Sequence, residues 1–181
     1  MFEHSLQQLQ GQEITALGTY RPWWYHKEMG GDGSSYPEHS GRILDLKQAQ
    51  ARGINYFFDY MQPKLKSPDA LAVVPSHDPA KGPGGLHALA GRLAQSCNIL
   101  DSSAALVRHT KIEKLSSGGD RSVQVHLDSI HIPNAALVED RQVLLIDDVM
   151  TSGNSLLACR QILLNAGASA VKCVALGRTA Y

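Results

Sequence analysis

Several features that would point to particular kinds of protein are scarce in this chain of 181 residues. Its three cysteines, Cys97, Cys159 and Cys173, have no C-x-x-C spacing, which excludes a zinc ribbon or a disulfide framework and favours a reducing compartment. Seventeen basic and seventeen acidic residues cancel, which argues against nonspecific nucleic-acid binding. No apolar run approaches the roughly 20 residues of a membrane span, and residues 1–10 do not resemble a signal peptide. We therefore expect a cytoplasmic protein with a small-molecule partner, and neither a membrane nor a nucleic acid as its main partner.

Apolar segments alternate with amphipathic segments along most of the chain, and this order predicts the fold class. Strands buried on both faces and separated by helices of about a dozen residues are typical of an α/β fold with a mostly parallel sheet flanked by helices. We expect one helix over residues 42–65, with Pro63 as its stop, and a hairpin formed by residues 123–127 and 130–132. The remaining strands are predicted at residues 13–20, 71–75, 104–109, 142–147 and 170–177, and the remaining helices at 84–100 and 155–167.

The first forty residues differ in composition from the rest. Residues 21–41 hold too much Gly, Pro and Ser for a regular element, so we expect a long loop or lid there. We divide the chain into an N-terminal hood or lid segment, residues 1–41, and a core, residues 42–181.

The stretch VLLIDDVMTSGNS, residues 143–155, carries the most informative local pattern. Four apolar residues end on Asp147 and Asp148, which we expect to leave the strand, and Gly153 allows a tight turn into the next helix. The helix N-terminus and the hydroxyls of the loop suit a phosphate, and carboxylates are good acceptors for vicinal hydroxyls. A ribose 5-phosphate satisfies both halves of the pattern.

These residues resemble the phosphoribosyl pyrophosphate signature of type I phosphoribosyltransferases, whose fold is Rossmann-like. Residues 71–94 are similar to the first strand, pyrophosphate loop and following helix of that family. The ComF-like branch is the most similar one, although KGPGG at residues 81–85 stands where that branch usually has Arg-Gly-Phe-Asn-Gln. Residues 107–122 resemble the family's flexible loop, and Thr110 followed by Arg121 fits the ComF-like pattern. Orotate phosphoribosyltransferases also have a Lys-rich loop here, but their Asp-His-Gly element is absent.

The resemblance implies displacement of pyrophosphate from carbon 1 of the sugar by a nitrogenous acceptor, with Mg²⁺ as cofactor. The enzyme would act mainly by electrostatic stabilisation and exclusion of water. The implied residues for ribose 5-phosphate are Asp147, Asp148, Val149, Met150, Thr151, Ser152, Gly153, Asn154 and Ser155. Those for pyrophosphate are Ser76, His77, Lys81, Gly82 and Arg108. Those for catalysis are Asp147, Asp148, Arg108, Lys111 and Lys114, and Asp147 would also contact Mg²⁺ through a water.

The acceptor is the least specified part of the prediction. Many 6-oxopurine enzymes of this family have an Asp where this chain has Thr151, so a purine salvage enzyme of that kind is disfavoured. The chain stops four residues after Gly177, so we expect the hood to come from the N-terminal segment or a second subunit, as in a homodimer. The aromatic run Trp23, Trp24 and Tyr25 could stack on a heterocycle, contact a partner, or anchor the segment to the core. The alternative to an enzyme is a non-catalytic sensor of phosphoribosyl pyrophosphate or a nucleotide with the same fold.

Overall fold

A computed structural model describes residues 6–9, 12–66, 68–112 and 122–181 of the chain. Nine strands and six helices are present in these ranges. The strands are β1 Leu6–Leu9, β2 Gln12–Ala16, β3 Thr19–Tyr20, β4 Ala70–Val73, β5 Leu100–Asp101, β6 Val107–Arg108, β7 Ile130–His131, β8 Gln142–Met150 and β9 Ala170–Thr179. The helices are α1 Trp23–Glu28, α2 Glu38–Lys47, α3 Ala51–Met61, α4 Gly85–Cys97, α5 Val123–Leu127 and α6 Asn154–Asn165. In this part of the chain, none of the helices has the length and apolar character to cross a bilayer.

The main sheet has the strand order β1-β2-β9-β8-β4-β5, and β3 also pairs with β9. Every pair except β1 with β2 is parallel. The predicted α/β class with a mostly parallel sheet flanked by helices is therefore confirmed. Because β4, β8 and β9 are parallel neighbours, the loops that follow them meet at one edge of the sheet.

Side chains on β8 alternate between two apolar layers, one on each face of the sheet. Val143 and Leu145 pack with α6, whereas Leu144 and Ile146 pack with α2, α3 and α4. All four side chains are almost completely buried. This alternation follows from the period of two along a strand, and it continues through Asp147 and Asp148, which come next on β8.

The N-terminal segment contains more regular structure than its composition predicts. The expectation of no regular element in residues 21–41 is wrong, because α1 lies there and α2 begins there. Pro22 and Pro37 stand just before these helices, where the fixed φ of proline fits a helix start. Since β2 and β3 pair with β9, residues 12–20 extend the main sheet, and the division at residue 41 falls inside α2. The division into a hood and a core stays a prediction.

The single helix predicted over residues 42–65 is two helices, and that prediction was wrong. The end of α2 is closed by Ala49, whose φ of 54° is left-handed, with Gln50 N donating to the Asp45 carbonyl at 2.8 Å. The Asp45 carboxylate also accepts bonds of 2.8 and 3.0 Å from Arg52 on α3, which holds the turn. Gly53 lies inside α3, where an added Cβ would collide with the α2 backbone.

Two of the predicted β segments also differ from the structure. Residues 123–127 form α5 instead of a hairpin strand, since the Ser122 hydroxyl accepts the Val125 N–H at 3.4 Å and starts a helical turn. The strand predicted at residues 104–109 shrinks to β6, which pairs antiparallel with β7 in a separate two-stranded sheet. Arg108 therefore does not stand at the end of a strand of the main sheet.

Candidate active site

Asp147 and Asp148, which we call the acid pair, lie inside β8, and their side chains face opposite sides of the sheet. The expectation that both residues leave the strand is wrong: Asp147 pairs with Ala175 of β9, and the pairing continues to Met150 with Arg178. Strand alternation directs Asp147 toward the α6 side and Asp148 toward the α2 side. Both side chains are only partly buried, because the strand has reached the edge of the core.

Asp148 has a cationic partner that was not predicted from the sequence. Lys47, in the last turn of α2, places its Nζ 2.8 Å from Asp148 Oδ2. Burial acts to lower the pKa of Lys47, but attraction to Asp148 and Asp147 outweighs it, so the pKa is raised above 10.5. No local motif marks this lysine, because only the packing of α2 against the sheet brings it to the acid pair.

The surroundings of Asp147 disfavour the ionised form of its carboxyl. Burial and, next, the negative charge of Asp148 raise its pKa from 3.8 to about 7, against the opposing effect of Lys47. Its Oδ1 accepts the backbone N–H of Asp148 at 2.8 Å. A ligand that donates hydrogen bonds to this carboxyl would favour the ionised form.

The loop after β8 leads directly into α6. Gly153 has a φ of 83°, which a residue with a Cβ rarely adopts, and it occupies the N-cap of the helix. Glycine has no side chain that could cap the first turn, and the N-terminus of a helix favours an anion through its backbone N–H groups. Thr151 and Ser152 are exposed, and Thr151 Oγ1 lies 3.0 Å from Thr179 Oγ1 of β9. Asn154 N donates weakly to Ser152 Oγ at 3.4 Å.

Two further members of the predicted ribose 5-phosphate set, Val149 and Met150, lie on β8 between the acid pair and the loop. The side chain of Met150 is only 3 % exposed and packs in the layer with α6, so only its backbone can reach a ligand. Val149 packs against the layer on the α2 face. For Met150 the predicted contact is therefore limited to main-chain atoms.

The predicted pyrophosphate loop follows β4 and lies beside the acid pair, because β4 pairs with β8. Lys81 and Gly82 are exposed on this loop, while Ser76 and His77 are half-buried at its start. The His77 carbonyl accepts the Ile112 N–H at 3.1 Å, which joins the loop to the segment that follows β6.

Lys111 also reaches the loop that follows β4. Its Nζ lies 2.7 Å from Asp78 Oδ2, and its side chain is largely exposed. The hydrogen bond from Lys111 is the main cause that holds the pKa of Asp78 below its usual value. Lys114, the other lysine predicted for catalysis, lies outside the described residues, as does Arg121.

Arg108 is buried, with 5 % of its surface exposed, instead of lying on the surface of the site. Its Nε donates to the Ser76 carbonyl at 2.7 Å, and its two terminal nitrogens contact Ser129 Oγ and His126 Nδ1. Burial lowers the pKa of this guanidinium from its ordinary value. The arginine thus holds the start of the loop after β4 through contacts with a carbonyl, a hydroxyl and an imidazole.

The aromatic run of the N-terminal segment lies near the end of β9. Trp24 is 59 % exposed, and its ring centroid is 6.0 Å from that of Tyr181. Tyr25 meets Tyr181 edge to face at 5.5 Å, and Trp23 meets Tyr36 in the same way at 4.9 Å. Tyr181 follows Thr179 by two residues, and Thr179 contacts Thr151 of the loop that enters α6.

The oxygen atoms at the carboxyl ends of the strands suit a hard cation that is bound mostly by the substrate. Asp147 and Asp148 offer carboxylate oxygens, which Mg²⁺ prefers. Across residues 6–9, 12–66, 68–112 and 122–181, however, no group of three or more His, Cys, Asp or Glu could hold a metal by itself. The residues therefore fit a Mg²⁺ that takes most of its ligands from substrate and water.

The fold and this edge define a class of protein: an α/β domain with an anion-binding loop and an adjacent acid pair at the carboxyl ends of parallel strands. The family model for the phosphoribosyl transferase domain matches residues 87–179, just over half of the chain. The chain belongs to the family defined by this domain. No curated protein sequence matches the chain.

Two solved structures show a distant likeness. The allosteric regulatory enzyme of purine biosynthesis is 20 % identical over 76 % of this chain and 26 % of its own, with a TM-score of 0.44. The chain thus spans about a quarter of that enzyme's length. A purine phosphoribosyltransferase from Pyrococcus horikoshii is 18 % identical over 90 % of this chain and 87 % of its own, with a TM-score of 0.41.

Proposed function

We propose that this protein binds phosphoribosyl pyrophosphate with Mg²⁺ and transfers the phosphoribosyl group to a nitrogenous acceptor. The new bond joins the acceptor nitrogen to carbon 1 of the ribose, and the bond from carbon 1 to pyrophosphate breaks. The observation that carries the proposal is the continuous unit from Asp147 to Ser155. It combines two carboxylates with a glycine-capped helix start, the groups that a ribose and its 5-phosphate require.

The ribose 5-phosphate would lie along this unit. Asp147 and Asp148 accept the ribose hydroxyls, while the backbone of residues 151–155 and the hydroxyls of Thr151, Ser152 and Ser155 donate to the phosphate. With the ribose bound, the Asp148 carboxylate would accept hydrogen bonds from the sugar and keep its ion pair with Lys47. This ion pair would hold Lys47 beside the reacting end of the ligand.

The pyrophosphate group would lie against the loop after β4. Lys81, Gly82 and the backbone of Ser76 and His77 face it, and Lys111 or Lys114 supplies further positive charge. Arg108 contributes by fixing the Ser76 carbonyl and hence the loop. Mg²⁺ would neutralise the pyrophosphate oxygens, and Asp147 would contact the ion through a water.

The chemical contribution of the protein is mainly electrostatic. As the bond from carbon 1 to pyrophosphate lengthens, positive charge develops on the ribose and negative charge on the leaving group. In this proposal the carboxylates of β8 lie on the ribose side, and Lys81 and Lys111 lie on the pyrophosphate side. Exclusion of water by a lid would protect the sugar from hydrolysis.

The acceptor would be a flat nitrogenous heterocycle, and the ComF-like branch remains our proposal for its nearest relatives. The aromatic cluster of Trp24, Tyr25 and Tyr181 includes the exposed rings of Trp24 and Tyr181, on which a heterocycle attached to carbon 1 could stack. Tyr181 follows two residues after Thr179, which contacts Thr151. Thr151 offers a neutral hydroxyl to this heterocycle in place of an acid. Residues 1–41 would act as the hood over it.

Isothermal titration with phosphoribosyl pyrophosphate and Mg²⁺ tests the donor site. Wild-type protein should bind, and the double variant Asp147→Asn with Asp148→Asn should lose at least about tenfold in affinity while keeping its fold. The exposed Asp59→Asn on α3 is the matched control. Unchanged affinity in the double variant would refute the assignment of the acid pair. Binding without pyrophosphate release for any base would favour the sensor alternative.

A further inference from the structure

A buried chain of hydrogen bonds leads from Arg108 to the loop that enters α6. His126, on α5, is 1 % exposed, and its Nδ1 lies 3.2 Å from Arg108 Nη2. On the other side of the same ring, Nε2 lies 3.2 Å from Ser155 Oγ. Ser155 is the second residue of α6, so this chain connects the buried guanidinium to the first turn of the helix.

The chemistry of the arginine fixes the state of the histidine. A guanidinium has only N–H donors, so His126 Nδ1 must be the acceptor in the contact with Arg108. An imidazolium would point a second N–H at the guanidinium, which is unfavourable between two buried cations. The ring is therefore neutral with its hydrogen on Nε2, and this N–H donates to Ser155 Oγ.

The direction of this bond determines what Ser155 can do. A hydroxyl has one hydrogen, and when its oxygen accepts the N–H of His126, the hydrogen turns away from the ring. The Ser155 hydroxyl is then held as a donor at the start of α6, where the helix dipole also favours an anion. If Nδ1 carried the hydrogen instead, Ser155 would donate to His126 and would face the ligand as an acceptor.

We propose that His126 is a positioning residue that orients the Ser155 hydroxyl as a hydrogen-bond donor to the 5-phosphate. This inference rests on the proposed function, because it requires a ribose 5-phosphate at residues 151–155. It also gives Arg108 a second role, since the guanidinium selects the tautomer of His126 in addition to bracing Ser76. Arg108 thus acts on both halves of the site without contacting the ligand.

Two substitutions of His126 separate the roles of its nitrogens. In His126→Asn the amide oxygen can still accept from Arg108, but the side chain is too short to reach Ser155. In His126→Gln the amide nitrogen can take the place of Nε2 and donate to Ser155. Gln124→Ala, on the exposed side of α5, is the control for changes to that helix.

The decisive experiment is isothermal titration of these variants with ribose 5-phosphate and, separately, with inorganic pyrophosphate plus Mg²⁺. His126→Asn should weaken ribose 5-phosphate binding on the order of tenfold and leave pyrophosphate binding unchanged. His126→Gln should restore most of the loss. Ser155→Ala should match His126→Asn, and the double variant should be no weaker than Ser155→Ala alone, because both remove one interaction.

Other outcomes would overturn the inference. Equal losses for both probes would mean that His126 only holds α5 in place, and full ribose 5-phosphate affinity in His126→Asn would remove its role altogether. A nitrogen NMR spectrum showing the Nδ1–H tautomer in the ligand-free protein would contradict the inference independently of any ligand. If wild-type protein bound pyrophosphate but not ribose 5-phosphate, the proposed function would fail together with it.

Discussion

The fold favours a protonated Asp147, whereas the proposed ligand requires an ionised one. Its pKa is raised from 3.8 to about 7, first by burial and second by the charge of Asp148. The unfolded chain releases this proton near the ordinary value, so the folded protein holds more protons between about pH 4 and 7. The contribution of this group to the free energy of unfolding must therefore decrease as the pH rises through that range.

We predict that Asp147→Asn, which keeps the shape of the side chain but cannot ionise, stabilises the ligand-free protein at pH 8. A shift of about 3 units corresponds to roughly 4 kcal/mol, and because the side chain is partly exposed we expect about half of this, roughly 2 kcal/mol. At about pH 4 the carboxyl of the folded wild type is already neutral, so the gain should vanish. The same variant should bind phosphoribosyl pyrophosphate more weakly.

Urea unfolding in Mg²⁺-free buffer at the two pH values measures the effect, with Asp59→Asn as an exposed control. Equal stabilisation at both pH values would show that the gain has nothing to do with ionisation. No stabilisation at pH 8 would refute the conclusion that the site is strained without its ligand.

Three further predictions concern Lys47, Arg108 and Trp24. Lys47→Met should lower the free energy of unfolding by about 1 kcal/mol, because it leaves Asp148 without its ion pair. The contribution of this pair should persist up to pH 10.5 and disappear as the pH rises above the raised pKa of Lys47, which urea titrations across pH would detect. Arg108→Lys keeps the charge but loses the forked hydrogen bonds, so calorimetry should show a loss of about 2 kcal/mol; an unchanged unfolding temperature would contradict the bracing role. Trp24→Ala should change stability by less than about 0.5 kcal/mol and raise the KM for the acceptor, while the affinity for phosphoribosyl pyrophosphate stays constant. A loss of donor affinity in this variant would argue against a role in acceptor binding.

The parts of the fold that could be predicted from sequence are those encoded locally. The apolar run of β8, the glycine turn at Gly153 and the amphipathic pattern of α6 follow one another within residues 142–165, so their order predicts a strand, an anion-binding loop and a helix. The same holds for β4 and α4. In these segments the local pattern and the tertiary environment agree, because each strand is buried on both faces by the helices around it.

The features that escaped prediction depend on contacts between distant segments. The break between α2 and α3 needs a left-handed Ala49 and the ion pair of Asp45 with Arg52, and neither is visible as a periodic pattern. Residues 123–127 alternate like a strand, yet they form a helix whose buried His126 packs toward α6. Lys47 and His126 reach the site only because α2 and α5 pack there. The sequence spacing near residues 143–155 therefore does not predict either residue as part of the site.

The reaction itself gives the most direct test of the central claim. Purified protein with phosphoribosyl pyrophosphate and Mg²⁺ should be assayed for pyrophosphate release against a panel of nitrogenous bases, with the Asp147→Asn and Asp148→Asn double variant alongside. The proposed function predicts release that depends on one class of base and is lost in the double variant. Release at the same rate from the double variant, or tight binding of the donor with no release for any base, would contradict the proposed activity of this site.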